Sequence, residues 1–165
     1  MSKQLLNRGA RSLVMVATLV LGVTLNSVAQ AQTESPAIFE NVTLSPKSPP
    51  ESVTVRGISG GDLPAKNIAG RSDTPNGPCV GFVDDKPNHT MVLTEFFDYL
   101  KLQVQSPGDT TMVISGPGGT WCNDDFQGKN PGMVGQWLAG KYNIWIGSYD
   151  KTRYLPYKLE INKVR

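Results

Sequence analysis

The sequence predicts an all-β protein, an antiparallel sandwich or barrel closed by one disulfide. Three observations carry this. From Cys79 onward, short runs of Val, Ile, Thr and aromatic residues recur between clusters of Gly, Pro, Asn and Asp, the spacing of a small antiparallel fold. The composition is turn-rich and weakly charged, with 17 Gly and 12 Pro in 165 residues and 18% charged residues, while Trp, Tyr and Phe number 3, 5 and 5. No stretch of the mature chain holds a 3.6-residue apolar stripe for more than two turns, which excludes a helical bundle or coiled coil.

Residues 1–31 form a three-part segment. Lys3, Arg8 and Arg11 are followed by an apolar run from Ser12 to Leu25, then by Ala29-Gln30-Ala31. This is the pattern of a secretory signal peptide cleaved after Ala31, its apolar run being shorter than the roughly 20 residues of a membrane span. Export to the periplasm or the medium is expected, with no membrane span after cleavage. Without Lys3, Arg8 and Arg11, 13 of the 16 basic residues remain against 14 acidic ones. No basic cluster survives to follow a phosphate backbone, so nucleic acid is not an expected partner.

Residues 32–50 read as a Ser/Pro-rich lead, broken by Ser35-Pro36, Ser45-Pro46 and Ser48-Pro49-Pro50, with room for an edge strand over Ile38 to Leu44. A single domain is expected over 51–165. Ser52 to Ile58 is its first strand, and the Gly/Pro-rich stretch Ser59 to Pro78 is expected as a surface loop. Strands follow over Cys79–Val83, His89–Thr94, Tyr99–Gln105, Thr110–Ile114, Trp121–Phe126, Lys141–Tyr149 and Arg153–Ile161. Alternation places Leu100, Leu102 and Val104, then Tyr142, Ile144 and Ile146, then Tyr157, Leu159 and Ile161 in the core. Trp145 and Tyr149 fall on the opposite face.

Cys79 and Cys122 are the two cysteines. In an exported domain of this size the simplest reading is one structural disulfide. With a single His and no Cys-x-x-Cys, a metal or reactive thiol is the weaker alternative.

Four short stretches similar to a known pattern lie from Gly108 onward: Gly108-Asp109-Thr110-Thr111-Met112-Val113-Ile114, Gly118-Gly119-Thr120-Trp121-Cys122-Asn123-Asp124-Asp125, Ala139-Gly140-Lys141-Tyr142-Asn143-Ile144-Trp145-Ile146-Gly147-Ser148-Tyr149, and Pro156-Tyr157-Lys158-Leu159. In order and spacing they resemble the bacterial pre-peptidase C-terminal domain, over residues 79–163. The chain is also similar to short exported cyanobacterial and proteobacterial proteins made of such a domain alone. The resemblance implies a jelly-roll-like β-sandwich. It also implies a non-catalytic role beside secreted enzymes, in secretion, substrate adhesion or calcium binding.

Candidate sites follow from residue chemistry. Asn123, Asp124 and Asp125 offer three oxygen ligands in one turn, and Asp84 and Asp85 could add two if their loops meet there, giving a possible Ca²⁺ site. The same residues also favour turns through bonds to their own backbone. Trp145 and Tyr149, if exposed, suit a polysaccharide or protein partner of the cell envelope; otherwise a covering loop or helix buries that face. Gly57-Ile58-Ser59-Gly60-Gly61 is similar to the stretch around a serine-peptidase nucleophile, but the single His, His89, follows Ser59 rather than preceding it. The expected function is an exported, non-catalytic binding module. The alternatives are a small secreted hydrolase or a structural envelope protein.

Overall fold

The computed structural model describes residues 39–48 and 50–163. The signal segment 1–31 and the lead as far as Ile38 lie outside the described residues. In chain order the elements are β1 (Val42–Leu44), β2 (Ser52–Ile58), β3 (Leu63–Pro64), α1 (Ala65–Ala69), β4 (Asp73–Thr74), β5 (Gly77–Pro78), β6 (Phe82–Val83), β7 (His89–Leu93), β8 (Phe97–Gln105), β9 (Thr110–Gly116), β10 (Gly119–Asn123), β11 (Gly132–Trp137), β12 (Gly140–Ser148) and β13 (Pro156–Lys163).

Two sheets face each other. One runs β11-β8-β13-β2, antiparallel throughout. In the other, β12 is the hub. Its first half pairs with β7 from Gly140↔Leu93 to Ile144↔His89, and Asn143 to Ser148 pair with β9 on its other edge. Ser148 also meets Phe82 of β6, β3 pairs with β6, and β10 extends the sheet beyond β9. The predicted alternation holds: Leu100, Leu102, Val104, Tyr142, Ile144, Ile146, Tyr157, Leu159 and Ile161 all enter one core shared by the two sheets. Each such aliphatic side chain contributes about 1.5–3 kcal/mol by leaving water. The fold is therefore an all-β sandwich, with Cys79 and Cys122 joined as a disulfide.

The structure departs from the sequence reading in three places. The edge strand of the lead is shorter, and it runs parallel to β7, not antiparallel. The stretch Ser59 to Pro78 is not a plain surface loop: it carries β3, α1 and the β4–β5 hairpin, and Ser59 and Ala65 are fully buried. Two-residue strands and a five-residue helix are too short to leave a period in the sequence. Third, β11 was not expected, because Gly132 and Gly135 dilute its strand signal.

The buried stretch closes the outer face of the larger sheet. Ala65, Ala69, the disulfide, Val83, Val113 and Trp145 form a second apolar cluster, with Ile68 packed against it. Gly61 makes the approach possible. It sits at φ +148°, and a Cβ there would lie 2.0 Å from the Val83 carbonyl carbon, so only glycine fits.

Candidate functional site

Three aromatic rings gather where the sandwich opens between β10 and β11. Trp137 and Tyr142 meet edge to face, centroids 5.2 Å apart, and Trp121 lies 6.2 Å from Trp137 and 6.5 Å from Tyr142. Hydrogen bonds fix two of them: the Trp137 indole N–H donates to the Leu100 carbonyl at 3.0 Å, and the Tyr142 hydroxyl donates to that of Leu138 at 2.9 Å. Tyr142 lies against Gly116, where any Cβ would strike its ring. The rings border a cleft of about 190 Å³. Its rim is open and mixed: Val134 is 44% and Leu138 51% exposed beside exposed Asn76 and Gln136, while Trp137 and Tyr142 are buried at its floor.

The disulfide-linked region supplies the far wall. Asn76, at the tip of the β4–β5 hairpin, lines the cleft, and its carbonyl accepts from Asn123 Nδ2 at 2.8 Å. Thr74 Oγ1 accepts from the Cys122 N–H at 3.1 Å and donates to the Gly77 carbonyl at 3.0 Å, which locks the hairpin to β10 beside the Cys79–Cys122 bond. Trp121 and Trp137 belong to the aromatic-rich C-terminal third visible in the sequence. Their convergence depends on β11, which had no clear sequence signal.

The residues singled out from the sequence are placed differently. Trp145 is not a surface residue. It is 8% exposed, enclosed in the cluster of α1 and the disulfide, and no acceptor among the described residues reaches its indole N–H. Tyr149 is exposed at 50%, so the two do not form one binding face. Asn123 is already engaged, its Oδ1 accepting from the Gly132 N–H at 2.9 Å while its amide holds Asn76. Asp84 and Asp85 are exposed. Among the described residues no three His, Cys, Asp or Glu side chains gather closely enough to share a metal ion, so the expected convergence on Asn123, Asp124 and Asp125 does not form. Asp124 has its carboxyl pushed up, first by burial, then by Asp125 and Asp109.

The Ser59 loop lacks the parts of a nucleophile. Ser59 is fully buried, its Oγ 2.7 Å from Ser148 Oγ and accepting from the Leu155 N–H at 3.2 Å. His89 is engaged elsewhere. Its Nδ1 lies 2.7 Å from the Glu40 carbonyl and its Nε2 2.8 Å from the Tyr157 hydroxyl. A carbonyl only accepts, so Nδ1 carries the proton and Tyr157 donates to Nε2. A serine nucleophile needs a base in hydrogen-bond reach, and Ser59 bonds to no histidine.

Fold and cleft define a disulfide-bonded β-sandwich with an open aromatic cleft. No family model matches the chain. It is 30% identical over 103 residues to the uncharacterized protein Synpcc7942_2126 of Synechococcus elongatus, a match covering 60% of this chain and 76% of that protein, and the chain belongs to that protein's family. Similar solved structures include the pre-peptidase C-terminal domain of a Bacillus anthracis collagenase, with TM-score 0.44 and 15% identity over 74% of this chain and 94% of that one. Another is the Aeromonas hydrophila periplasmic inhibitor of g-type lysozyme, PliG, with TM-score 0.40 and 12% identity over 74% and 96%.

Proposed function

We propose that the protein is an exported, non-catalytic binding module of the cell envelope, which takes a protein or polysaccharide partner at the Trp121–Trp137–Tyr142 cleft. The observation that carries this is the cleft itself: three rings held by packing and hydrogen bonds, bordered by exposed Val134 and Leu138. Rigid aromatic anchors beside an open rim are the usual source of binding energy at recognition surfaces. Export is supported by the three-part N-terminal segment and the disulfide. The buried, hydrogen-bonded state of Ser59 speaks against hydrolysis.

The test compares the wild-type protein with Leu138→Asp and Trp121→Leu for retention on isolated cell-wall polysaccharide and on immobilised envelope proteins. Circular dichroism controls for folding. Retention lost in both variants while the fold persists is expected. Equal retention would overturn the reading, as would hydrolysis of casein or of the polysaccharide that disappears in Ser59→Ala.

A further inference from the structure

We propose that β11 is an open docking edge that accepts an extended peptide as an added strand, with one uncharged apolar side chain of that peptide seated in the aromatic cleft. This rests on the binding-module reading and names the partner's chemistry.

The backbone carries the first half. Among the described residues β11 pairs with β8 and with no other strand. The Pro131 carbonyl accepts from the Val104 N–H and so faces β8, whereas the Gly132 N–H points away, to Asn123 Oδ1. Successive residues of a strand turn their N–H and C=O to opposite edges, so Val134 and Gln136 present theirs away from β8. The register shift beyond Gly135 places its extra residue on β8, between Leu100 and Phe97, and leaves the alternation along β11 intact. Among the described residues nothing takes these two donors and two acceptors. Two residues apart on one edge, they match the bonding row of an incoming strand.

Other edges are capped at single points: Thr74 meets the Cys122 N–H on β10, and the Phe39 N–H occupies the Arg56 carbonyl on β2. An uncovered edge is a template for pairing that proteins ordinarily blunt, and this one runs along the cleft, because Met133 through Leu138 form its wall.

The cleft carries the second half. At about 190 Å³ it is smaller than the roughly 300–1,000 Å³ of a site that engulfs a whole small ligand. It suits one side chain of a longer molecule. Among the described residues no charged one lines it, so a charged side chain would lose its water without gaining a counter-charge from them. Neutral walls and a bonding backbone row together select a strand bearing an apolar residue.

The test titrates the protein with acetyl-Thr-Thr-Thr-X-Thr-Thr-Thr-amide peptides, X being Leu, Phe, Gly or Asp. Tryptophan emission is the readout, since Trp121 and Trp137 line the cleft. The Leu or Phe peptide is expected to bind saturably and about tenfold or more tightly than the Gly and Asp peptides. N-methylation of its alternate amides should weaken it by about tenfold again. In Val134→Pro the lost N–H is one that faces away from β8, so the ladder survives, and the same weakening is expected with the thermal midpoint kept.

Affinity that ignores both N-methylation and Val134→Pro but disappears in Leu138→Asp would overturn strand addition and leave the cleft reading standing. Saturation by chitohexaose with none by any peptide would assign the cleft to polysaccharide and overturn the proposal. A concentration-dependent dimer in sedimentation, abolished by Val134→Pro, would make a second copy the occupant and overturn it likewise. No response to any of these probes would overturn both readings.

Discussion

His89 makes the stability of this protein depend on pH in a direction that can be worked out. It is 1% exposed at the start of β7. Its ring joins the Glu40 carbonyl, ahead of β1, to Tyr157 on the opposite sheet. Burial holds its pKa below the ordinary 6.5, against an opposing pull from the Glu40 carbonyl and carboxylate. The unfolded chain takes up a proton near pH 6.5 while the folded chain does not. The contribution is therefore complete above that pH and is lost as pH falls toward the depressed folded value. Within that window the slope approaches about 1.4 kcal/mol per pH unit, one proton's worth. Thermal midpoints of the wild type and of His89→Phe/Tyr157→Phe, measured between about pH 7 and 5, isolate this group. Wild type should lose stability with acid more steeply, because other groups, Asp124 among them, titrate in both proteins. The single variant His89→Phe is the companion measurement. It strands the buried Tyr157 hydroxyl at a cost of about 1–3 kcal/mol, and at about 4 °C per kcal/mol for a domain of this size it should melt well below wild type. The double variant should recover part of that loss. Parallel pH profiles for wild type and double variant, or a single variant no worse than the double, would refute the reasoning.

Three further outcomes follow from the same geometry. Cys79→Ala/Cys122→Ala, which opens a link between residues 43 apart, should cost about 4 kcal/mol by chain entropy and should loosen the Asn76 wall of the cleft; urea unfolding measures the first. Ser59→Ala should destabilise by about 1–3 kcal/mol by orphaning the Leu155 N–H and disturbing Ser148, with no change in any hydrolytic background. Asp124→Asn should raise the thermal midpoint at neutral pH, because burial, Asp125 and Asp109 disfavour the ionised carboxylate, and the gain should vanish in acid as the wild-type group protonates. Calcium chloride is the control: an ion held by Asp124 would reverse the sign, giving wild type a stabilisation that the variant lacks.

Much of the sandwich was legible because half-buried strands write their burial into the sequence every second residue. Leu100-x-Leu102-x-Val104 and Tyr142-x-Ile144-x-Ile146 name their inward faces directly, and both sets lie in the core. The rule failed where a face is covered twice. On β9, Thr110 through Ile114 are all buried, and on β12 Trp145 is buried along with Ile144 and Ile146, because α1 and the disulfide lie over the outer side. Alternation reports a two-sided strand, and it cannot see a cover supplied by residues dozens of positions away. The cleft was hidden for a related reason. Trp121, Trp137 and Tyr142 were visible as aromatics, but only the pairing of glycine-rich β11 with β8 brings Trp137 to the other two.

The covering of Trp145 and the opening at β11 are two sides of one arrangement. The chain uses its Gly/Pro-rich stretch, which looks like idle loop, to close the outer face of the larger sheet. It anchors that cover at Cys79–Cys122 and ties the edge of β10 through Thr74. Phe39 does the same for β2. With those devices in place, the Trp145 face takes the covered one of the two alternatives left open by the sequence. Val134 and Leu138, on and just beyond β11, are exposed apolar residues beside backbone groups that no described residue takes. The edge of β11 borders three fixed rings, and an unpaired strand edge is a template for an added strand; on the proposed reading, recognition falls where the cover stops.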